Sequence, residues 1–260
     1  MINIISTNLP NKASDHTFVS LVDNQNIFLN DNTQPVHILN GPIDFTKKKN
    51  IIYGIRITDD IIPYVNYYKE FVDFIIVTSH HAYLKVKNIC KNVIHIDDVT
   101  QTPEIINPHT IQNRFYTFHN QENLDVKLLS NPIDVYTNVQ GIQHLLPFNN
   151  SEIHLSSNFI EWTPNSVNEY QKYKKAIISY VDNDKGKLKS INRLCQCFYF
   201  NQEVITNYKG TINPKVKKHL EIKLLNDGFY QITNTRKIYD KFYTKEVIKN
   251  KLINYIKTQI

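Results

Sequence analysis

The chain is poor in cysteine and in glycine, and each shortage excludes a class of structure. The cysteines Cys90, Cys195 and Cys197, three in 260 residues, make no even disulfide framework and have no CxxC or Cys/His metal spacing. We therefore expect a reducing compartment. With six glycines in the whole chain, the apolar opening segment 2–5 is followed by no glycine-rich turn of the dinucleotide-binding type.

Long apolar runs are also lacking, and we expect no leader sequence. No apolar run approaches the ~20 residues of a membrane-spanning helix. The start, MINIISTNLPNKAS, has neither the basic region nor the apolar core of a signal peptide. We therefore expect a cytoplasmic protein. Heavy use of Asn, Ile, Lys and Tyr suggests an AT-rich genome, such as that of a virus, a phage or a low-GC cell, and a viral protein would lie in the cytoplasm of the infected cell.

The charge balance permits a polyanionic partner without requiring one. The net charge is +6, and the lysine clusters 47–49, 172–175 and 215–218 are small and spread along the chain. No nucleic-acid recognition motif accompanies them. Nucleic-acid binding is therefore a weaker hypothesis for this chain.

The first half alternates short apolar runs with helical patterns. Segments 51–57, 74–78 and 93–96 predict buried strands, and 63–71 and 79–89 predict helices, the second capped by Ser79. Such a rhythm predicts parallel α/β architecture. Further strands are predicted at 2–5, at 35–39, and at 17–20 and 27–29 as a small hairpin.

The polar segment 100–113 contains two prolines and interrupts this rhythm, so it predicts a domain linker. Beyond it the pattern predicts strands at 115–118, 126–129, 153–155 and 229–232. Helices are predicted at 140–146, 166–174 and 215–226, and the final helical region is 235–258.

The stretch 176–207, AIISYVDNDKGKLKSINRLCQCFYFNQEVITN, reads as one strand–loop–helix–strand unit. Segments 176–181 and 203–206 predict buried strands, and 182–186 predicts a turn-forming loop of a size to hold phosphate. Ser190 or Asn192 would cap a helix running to about residue 200. Ligands bind at the carboxyl ends of parallel strands, and helix N-termini offer N–H groups to phosphate. The unit therefore predicts a nucleotide diphosphate site.

Two polar side chains of that helix share one face. Arg193 lies in the first turn, where its guanidinium would donate charged hydrogen bonds to a bound anion. Gln196 follows three residues later, on the same face. Leu194, Cys197 and Phe198 take the opposite, core-facing side. The alternative is an ordinary βαβ unit with a surface arginine.

The same stretch resembles the donor-binding half of the GT-B-fold glycosyltransferases, through Arg193-Leu194-Cys195-Gln196-Cys197 and Asn201-Gln202-Glu203-Val204-Ile205-Thr206. In that family the arginine touches the donor phosphates and an acidic residue holds the ribose hydroxyls. The resemblance implies a phosphate role for Arg193 and a ribose role for Gln196, which stands where the family has Glu; Asn201 stands where it has Gly. In enzymes of this kind an Arg/Lys-rich loop after the first strand of the second domain binds the diphosphate. The equivalent segment here, FHNQENLD, has no Lys or Arg. Phosphate binding would therefore rest on Arg193, on the helix N-terminus and on the neighbouring residues Lys185, Gly186, Lys187 and Ser190.

The first half resembles the phage DNA β-glucosyltransferases, in which a strand ends in a Thr-Asp pair whose aspartate is the catalytic base. Thr58-Asp59 matches that pair, so the resemblance implies Asp59 as the base; alternatively, Asp59 or Asp60 only caps the following helix. Other cleft candidates are Arg56, Asp60, Ser79, His80 and Trp162. Trp162 would stack on a donor base or be a core residue. His80 and His81 point about 100° apart on a helix, which is unsuited to chelating one metal.

The resemblance implies two Rossmann-like parallel-sheet domains facing a cleft, with a C-terminal helix crossing back. The expected division is an acceptor-side domain at 1–106 and a nucleotide-sugar-binding domain at 107–260. The implied activity is metal-independent transfer of a sugar from a nucleotide-sugar donor, a UDP-sugar being favoured, to a hydroxyl of a glycan, a protein or modified DNA. No prosthetic group is expected. Asp182-Asn183-Asp184 could instead be a metal-binding Asp-x-Asp. The changes at Gln196 and Asn201 leave open a degenerate scaffold that binds a nucleotide or a partner without catalysis.

Overall fold

Two β-sheets organise the chain, one in each half. The computed structural model describes residues 1–6, 18–58, 61–103, 112–118, 133–137, 158–163 and 165–258. The predicted segments 126–129, 140–146 and 153–155 lie outside these residues, and so does the expected domain boundary at 106 and 107.

The first sheet has six strands in the order β2-β1-β3-β4-β5-β6. Every neighbouring pair is parallel. The strands are β1 (Ile2–Ile5), β2 (Ile27–Leu29), β3 (Val36–Asn40), β4 (Ile52–Ile57), β5 (Phe74–Val77) and β6 (Val93–His95). The short apolar runs of the sequence form these strands because a parallel sheet is covered on both faces.

Two helices cover one face of this sheet: α1 (Ile61–Tyr68) and α2 (His80–Val86). The predicted cap of α2 is confirmed, since Ser79 Oγ accepts a hydrogen bond from the Ala82 N–H at 3.0 Å. Apolar side chains of α1 and α2, such as Val65 and Val86, pack on Ile55 and Val77 of the sheet.

The second sheet has seven strands in the order β12-β13-β11-β10-β7-β8-β9. They are β7 (Gln112–Phe118), β8 (Ile133–Thr137), β9 (Asn158–Glu161), β10 (Tyr173–Ile178), β11 (Glu203–Thr206), β12 (Glu221–Leu224) and β13 (Tyr230–Thr233). The strands from β11 to β9 pair in parallel. In contrast, β12 and β13 form an antiparallel hairpin at one edge.

Six helices lie in the described part of the second half of the chain. They are α3 (Ser166–Tyr170), α4 (Asp184–Leu188), α5 (Asn192–Tyr199), α6 (Pro214–Lys217), α7 (Thr235–Phe242) and α8 (Lys245–Lys257), with a 3₁₀ turn at Asn226–Gly228. The core beneath them is rich in tyrosine, including Tyr116, Tyr170 and Tyr239. Among the described helices, none has the length and apolar character to cross a membrane.

The last helix returns to the first sheet. Ile248, Leu252 and Ile256 of α8 are buried in one core with side chains of β1 and β3. The ring centroids of Tyr255 and Phe74 lie 5.6 Å apart. The predicted helical region 235–258 is broken because Thr244 caps α8 through its hydroxyl. The predicted fold class is therefore confirmed: there are two α/β domains, each with a mainly parallel sheet, and a C-terminal helix that returns to the first sheet.

Three local predictions are wrong. Phe18 and Val19 are helical, not part of a strand, and β2 pairs in parallel with β1 and forms no hairpin. The helix predicted at 215–226 ends at Lys217, since β12 then pairs with β13. The helix predicted at 166–174 ends at Tyr170 because the chain joins the sheet as β10 from Tyr173.

Candidate functional site

The carboxyl edges of the two sheets face each other. The first sheet contributes the residues after β5 and β6, and the second contributes the segment after β11. A small cavity lies between them, lined by His80, His95, Asp97, Ile191, Tyr208, Thr211, Ile212, Asn213 and Tyr243. Crevices at the carboxyl ends of parallel strands are the usual ligand sites of α/β proteins, so this junction is the candidate site.

Hydrogen bonds between the halves position α2 beside the cavity. Ser79 Oγ donates to the Leu188 carbonyl at 2.9 Å. His81 Nδ1 accepts the Thr211 N–H at 3.2 Å and lies 3.0 Å from the Thr211 hydroxyl. Burial, with Lys85 and Lys187 nearby, lowers the pKa of His81. A neutral His81 with its proton on Nε2 fits these contacts.

His95 and Asp97 form a buried pair at the end of β6. His95 Nε2 lies 2.9 Å from Asp97 Oδ1. This distance suits an ion pair, but the angles between the two groups do not meet hydrogen-bond geometry. His95 is 7% exposed, and its Nδ1 has no hydrogen-bond partner among the described residues. Burial opposes the ionised form of Asp97, but His95 and Lys251 outweigh it and lower the Asp97 pKa to about 2. The pair therefore places a carboxylate and an imidazole in the wall of the cavity.

His80 lies next to this pair. Its ring centroid is 5.6 Å from that of His95 and 5.9 Å from that of Tyr83. Burial lowers the pKa of His80, and the neighbouring His95 lowers it further. Two positively charged imidazoles so close together would repel each other, which favours a neutral His80.

The segment predicted as a phosphate loop is helical from Asp184 onward. Asn183 Oδ1 caps α4 by accepting the Gly186 N–H at 2.9 Å, which occupies that donor. A Cβ on Gly186 would lie 1.9 Å from the Val181 carbonyl oxygen, so the close backbone approach requires glycine. Lys185 is exposed, and Lys187 pairs with Asp184 at 3.3 Å on the surface.

Arg193 lies in the first turn of α5, as expected. Burial lowers the pKa of its guanidinium, while the Tyr180 and Tyr170 hydroxyls raise it; the group stays charged. Ser190 precedes the helix and accepts the Asn192 N–H through Oγ at 3.1 Å. The N-cap residue is Ile191, which makes no side-chain cap among the described residues. The helix begins beside the cavity, because Ile191 lines it.

Solved structures of low sequence identity share this architecture. Anabaena HepE in complex with UDP matches with a TM-score of 0.63 at 8% identity, over 99% of this chain and 99% of that chain. TarM matches with a TM-score of 0.57 at 12% identity, over 85% of this chain and 54% of that chain. The present chain thus spans about half the length of TarM. No family model and no curated protein matches the sequence.

The chain has a GT-B-like fold. At these identities the likeness establishes architecture alone, and the finer resemblance to phage DNA β-glucosyltransferases remains a prediction.

Gln196 bonds the main chain of Gln101, and its expected ribose role stays a prediction. Its Oε1 accepts the Gln101 N–H at 3.1 Å and its Nε2 donates to the Gln101 carbonyl at 2.8 Å. Gln196 is 7% exposed, and both ends of its amide are occupied by the main chain of the segment predicted as a linker. It joins the two halves of the fold at this point.

Arg56 does not face the cavity. It is 1% exposed and donates to Asp98 Oδ1 at 2.5 Å and to Asn40 Oδ1 at 3.0 Å, with Phe18 packed on its guanidinium. A buried guanidinium needs such partners, so Arg56 stabilises the interior of the first half. This corrects the expectation that it faces a sugar or a phosphate.

Trp162 follows β9, and its ring packs against the tyrosine-rich core, while its main-chain N–H donates to the Thr137 carbonyl at 2.8 Å. This arrangement agrees with the core alternative for Trp162. The remaining candidates, Asp59 and Asp60, lie outside the described residues, between Thr58 and the start of α1 at Ile61.

The sequence reasoning missed His95, Asp97 and Tyr208. The run VIHIDD carries a signal, because a histidine and an aspartate two residues apart close a predicted strand. Tyr208 gives no such signal: its hydroxyl donates to the Lys187 and Lys189 carbonyls, both at 3.2 Å, and these contacts exist only in the folded chain. Within the described ranges, no group of three His, Cys, Asp or Glu residues is arranged to hold a metal.

Proposed function

We propose that the chain is a glycosyltransferase that moves a sugar from a nucleotide-sugar donor, with a UDP-sugar favoured, to an acceptor hydroxyl. The observation that carries this proposal is the end-to-end match to HepE, whose structures hold UDP, UDP-glucose, or UDP and glucose. The candidate site lies at the sheet edges where such a donor would bind.

The donor side of the proposal rests on α5. The N-terminus of this helix and the Arg193 guanidinium would together stabilise a diphosphate, with Lys185 and Lys187 as nearby surface cations. Charge that develops on the departing diphosphate would be met by these groups, so no metal is required. Two other proposed donor residues shape the local chain: Gly186 permits the close turn of α4, and Ser190 Oγ accepts the Asn192 N–H at the start of α5.

The proposed reaction breaks the bond between the anomeric carbon and the diphosphate oxygen and forms one to the acceptor oxygen. The acceptor proton passes to a base, and the diphosphate leaves with the bonding electrons. Asp59 is the proposed base because the Thr58-Asp59 pair comes directly after β4 in the sequence, and functional groups of parallel sheets lie at the carboxyl ends of strands. A glycan, a protein or modified DNA would supply the hydroxyl. A substitution variant of S. aureus TarM was crystallised with fondaparinux, α-GlcNAc-glycerol and UDP, which makes a glycan-like acceptor the first to test.

The second candidate is a GT-B-like scaffold that binds a nucleotide or a partner without catalysis. The two hydrogen bonds between Gln196 and Gln101 favour it, since they occupy the side chain expected to hold the ribose.

Thermal unfolding with UDP, GDP, ADP and their sugar conjugates, with and without Mg²⁺, tests both candidates. We expect one sugar nucleotide to raise the melting temperature without metal, and Arg193→Ala to abolish the shift. Arg236→Ala is the matched control, because Arg236 also lies in the first turn of a helix but pairs with Asp240 on the surface. A shift without sugar transfer or donor hydrolysis selects the scaffold. No shift with any nucleotide contradicts the donor site and leaves the scaffold that binds a partner.

A further inference from the structure

A loop of the second half forms one wall of the cavity and is fixed at both of its ends. Residues 207–213, which we call the β11 loop, follow β11. The Asn207 side chain accepts the Tyr180 N–H at 2.7 Å and donates to the Tyr180 carbonyl at 3.0 Å. At the other end Asn213 Oδ1 caps α6 by accepting the Lys215 N–H at 2.9 Å. Thr211, in the middle of the loop, is bonded instead to the first half of the chain.

The contact at Thr211 depends on an unprotonated histidine nitrogen. His81 Nδ1 accepts the Thr211 N–H at 3.2 Å and lies 3.0 Å from the Thr211 hydroxyl. Within the described ranges this N–H has no other acceptor. A ring nitrogen accepts a hydrogen bond only while it carries no proton. The bond from the loop to α2 therefore exists only in the neutral form of His81.

The surroundings of His81 disfavour a charged ring. Lys85 lies one turn later on α2, while Lys187 and Asp184 face the ring from α4 and pair with each other at 3.3 Å. Burial lowers the pKa of His81, the two lysines lower it further, and Asp184 opposes them. His81 is only half-buried and Thr211 is exposed, so protons from solvent can reach the ring. Protonation would add a positive charge near two lysines and leave the Thr211 N–H without an acceptor.

We propose that protonation of His81 releases the middle of the β11 loop and opens the cavity, so that the candidate site responds to pH. Thr211 and Ile212 line the cavity, and their departure would widen its entrance. The Thr211 hydroxyl can accept a hydrogen bond from a protonated Nδ1, but it cannot replace the lost acceptor of the Thr211 N–H.

The direction of the effect follows from proton linkage. The closed form binds a proton at His81 less tightly than the open form does, so acid favours the open form. The change should begin as the pH falls below about 6.5, the ordinary pKa of an imidazole. The ratio of open to closed molecules should then rise by up to about tenfold for each pH unit, until the pH reaches the lowered pKa of the closed form.

Hydrogen exchange of the Thr211 amide, followed by NMR on the full chain from about pH 8 to about pH 5, tests the proposal. Exchange at a protected amide reports the population of the open form. The matched variant is His81→Asn, because its Oδ1 can take the place of Nδ1 and accepts at every pH. Dividing the parent rate by the His81→Asn rate at each pH removes the intrinsic pH dependence of exchange. We expect this ratio to be about one at pH 8 and to rise to about tenfold at acid pH.

Two further variants make the result decisive. His81→Ala has no acceptor, so its Thr211 amide should exchange fast at every pH. His219→Asn is the control, because His219 is also a histidine of lowered pKa but lies exposed beside Lys241, away from the loop; it should follow the parent. Melting temperatures at each pH separate loop release from unfolding.

Two results would overturn the proposal. One is an equal pH response of the parent and His81→Asn, which would assign the effect to another group, such as His80 or His95. The other is a Thr211 amide that exchanges equally fast in the parent and in His81→Ala at pH 8. The measurement needs no nucleotide, so failure of the proposed donor site would leave its outcome unchanged.

Discussion

Gln196 and Gln101 lie 95 residues apart and are joined by two hydrogen bonds, one in each direction between the side-chain amide and the main chain. Gln196 belongs to α5, and Gln101 follows the last strand of the first sheet. The side chain implied as a ribose ligand thus fastens the two halves together beside the candidate site.

Gln196→Glu is expected to destabilise the protein at neutral pH. A carboxylate still accepts the Gln101 N–H but no longer donates to the Gln101 carbonyl, so about 1–3 kcal/mol should be lost. Protonation restores the donor, so the loss should shrink as pH falls through the raised pKa of the new carboxyl. Urea unfolding at several pH values measures this. Gln231→Glu on β13 is the control, and equal effects of the two changes would contradict the assignment.

Removing Asp98 is expected to be among the most costly single changes in the first half. Asp98→Ala leaves the buried Arg56 guanidinium without its carboxylate, which should cost about 3–5 kcal/mol. The double change Arg56→Met with Asp98→Leu removes both charges and should cost less than Asp98→Ala alone. Chemical unfolding of the two variants decides this, and a double variant as unstable as the single one would count against it.

Gly186→Ala is expected to disturb the loop before α5. The new Cβ would meet the Val181 carbonyl oxygen, so the backbone must shift, at a cost of about 1–3 kcal/mol. If the proposed donor site is correct, nucleotide affinity should fall more than it does in Lys185→Ala, whose side chain is exposed. Melting temperature and nucleotide titration measure the two effects. A variant with parent values of both would refute the prediction.

The lowered pKa of Asp97 predicts a contribution to acid stability. The folded-state pKa of about 2 is below the unfolded value of about 3.9, so the contribution is present above pH 3.9 and lost as pH falls toward 2. The contribution should reach about 2 kcal/mol. Unfolding free energies between pH 6 and pH 2 should fall less steeply for Asp97→Asn than for the parent. Asp240→Asn, at an exposed surface pair, should follow the parent curve.

Local patterns in the sequence were sufficient for most of the described strands. Five of the predicted apolar runs form strands close to their expected bounds. They are the runs at 35–39, 51–57, 74–78, 93–96 and 203–206, which form β3, β4, β5, β6 and β11 in that order. Ser79 capped its helix because capping needs only neighbours three residues apart. The same alternation of strands and helices predicted parallel sheets, and the resemblance to the GT-B fold implied a final helix that returns to the first half.

Tertiary structure decided the rest, because the deciding partners are distant in sequence. Arg56 is buried by Asp98, 42 residues away, and Gln196 is occupied by Gln101, 95 residues away. Segment 221–224 is a strand only because β13 pairs with it. His95 becomes a cavity residue only when the segment after β11 closes over it. The sequence by itself determined which segments are buried and what form they take, since those properties depend on near neighbours. Which polar side chains are free to meet a ligand depends on contacts between segments, so only the folded chain could decide it.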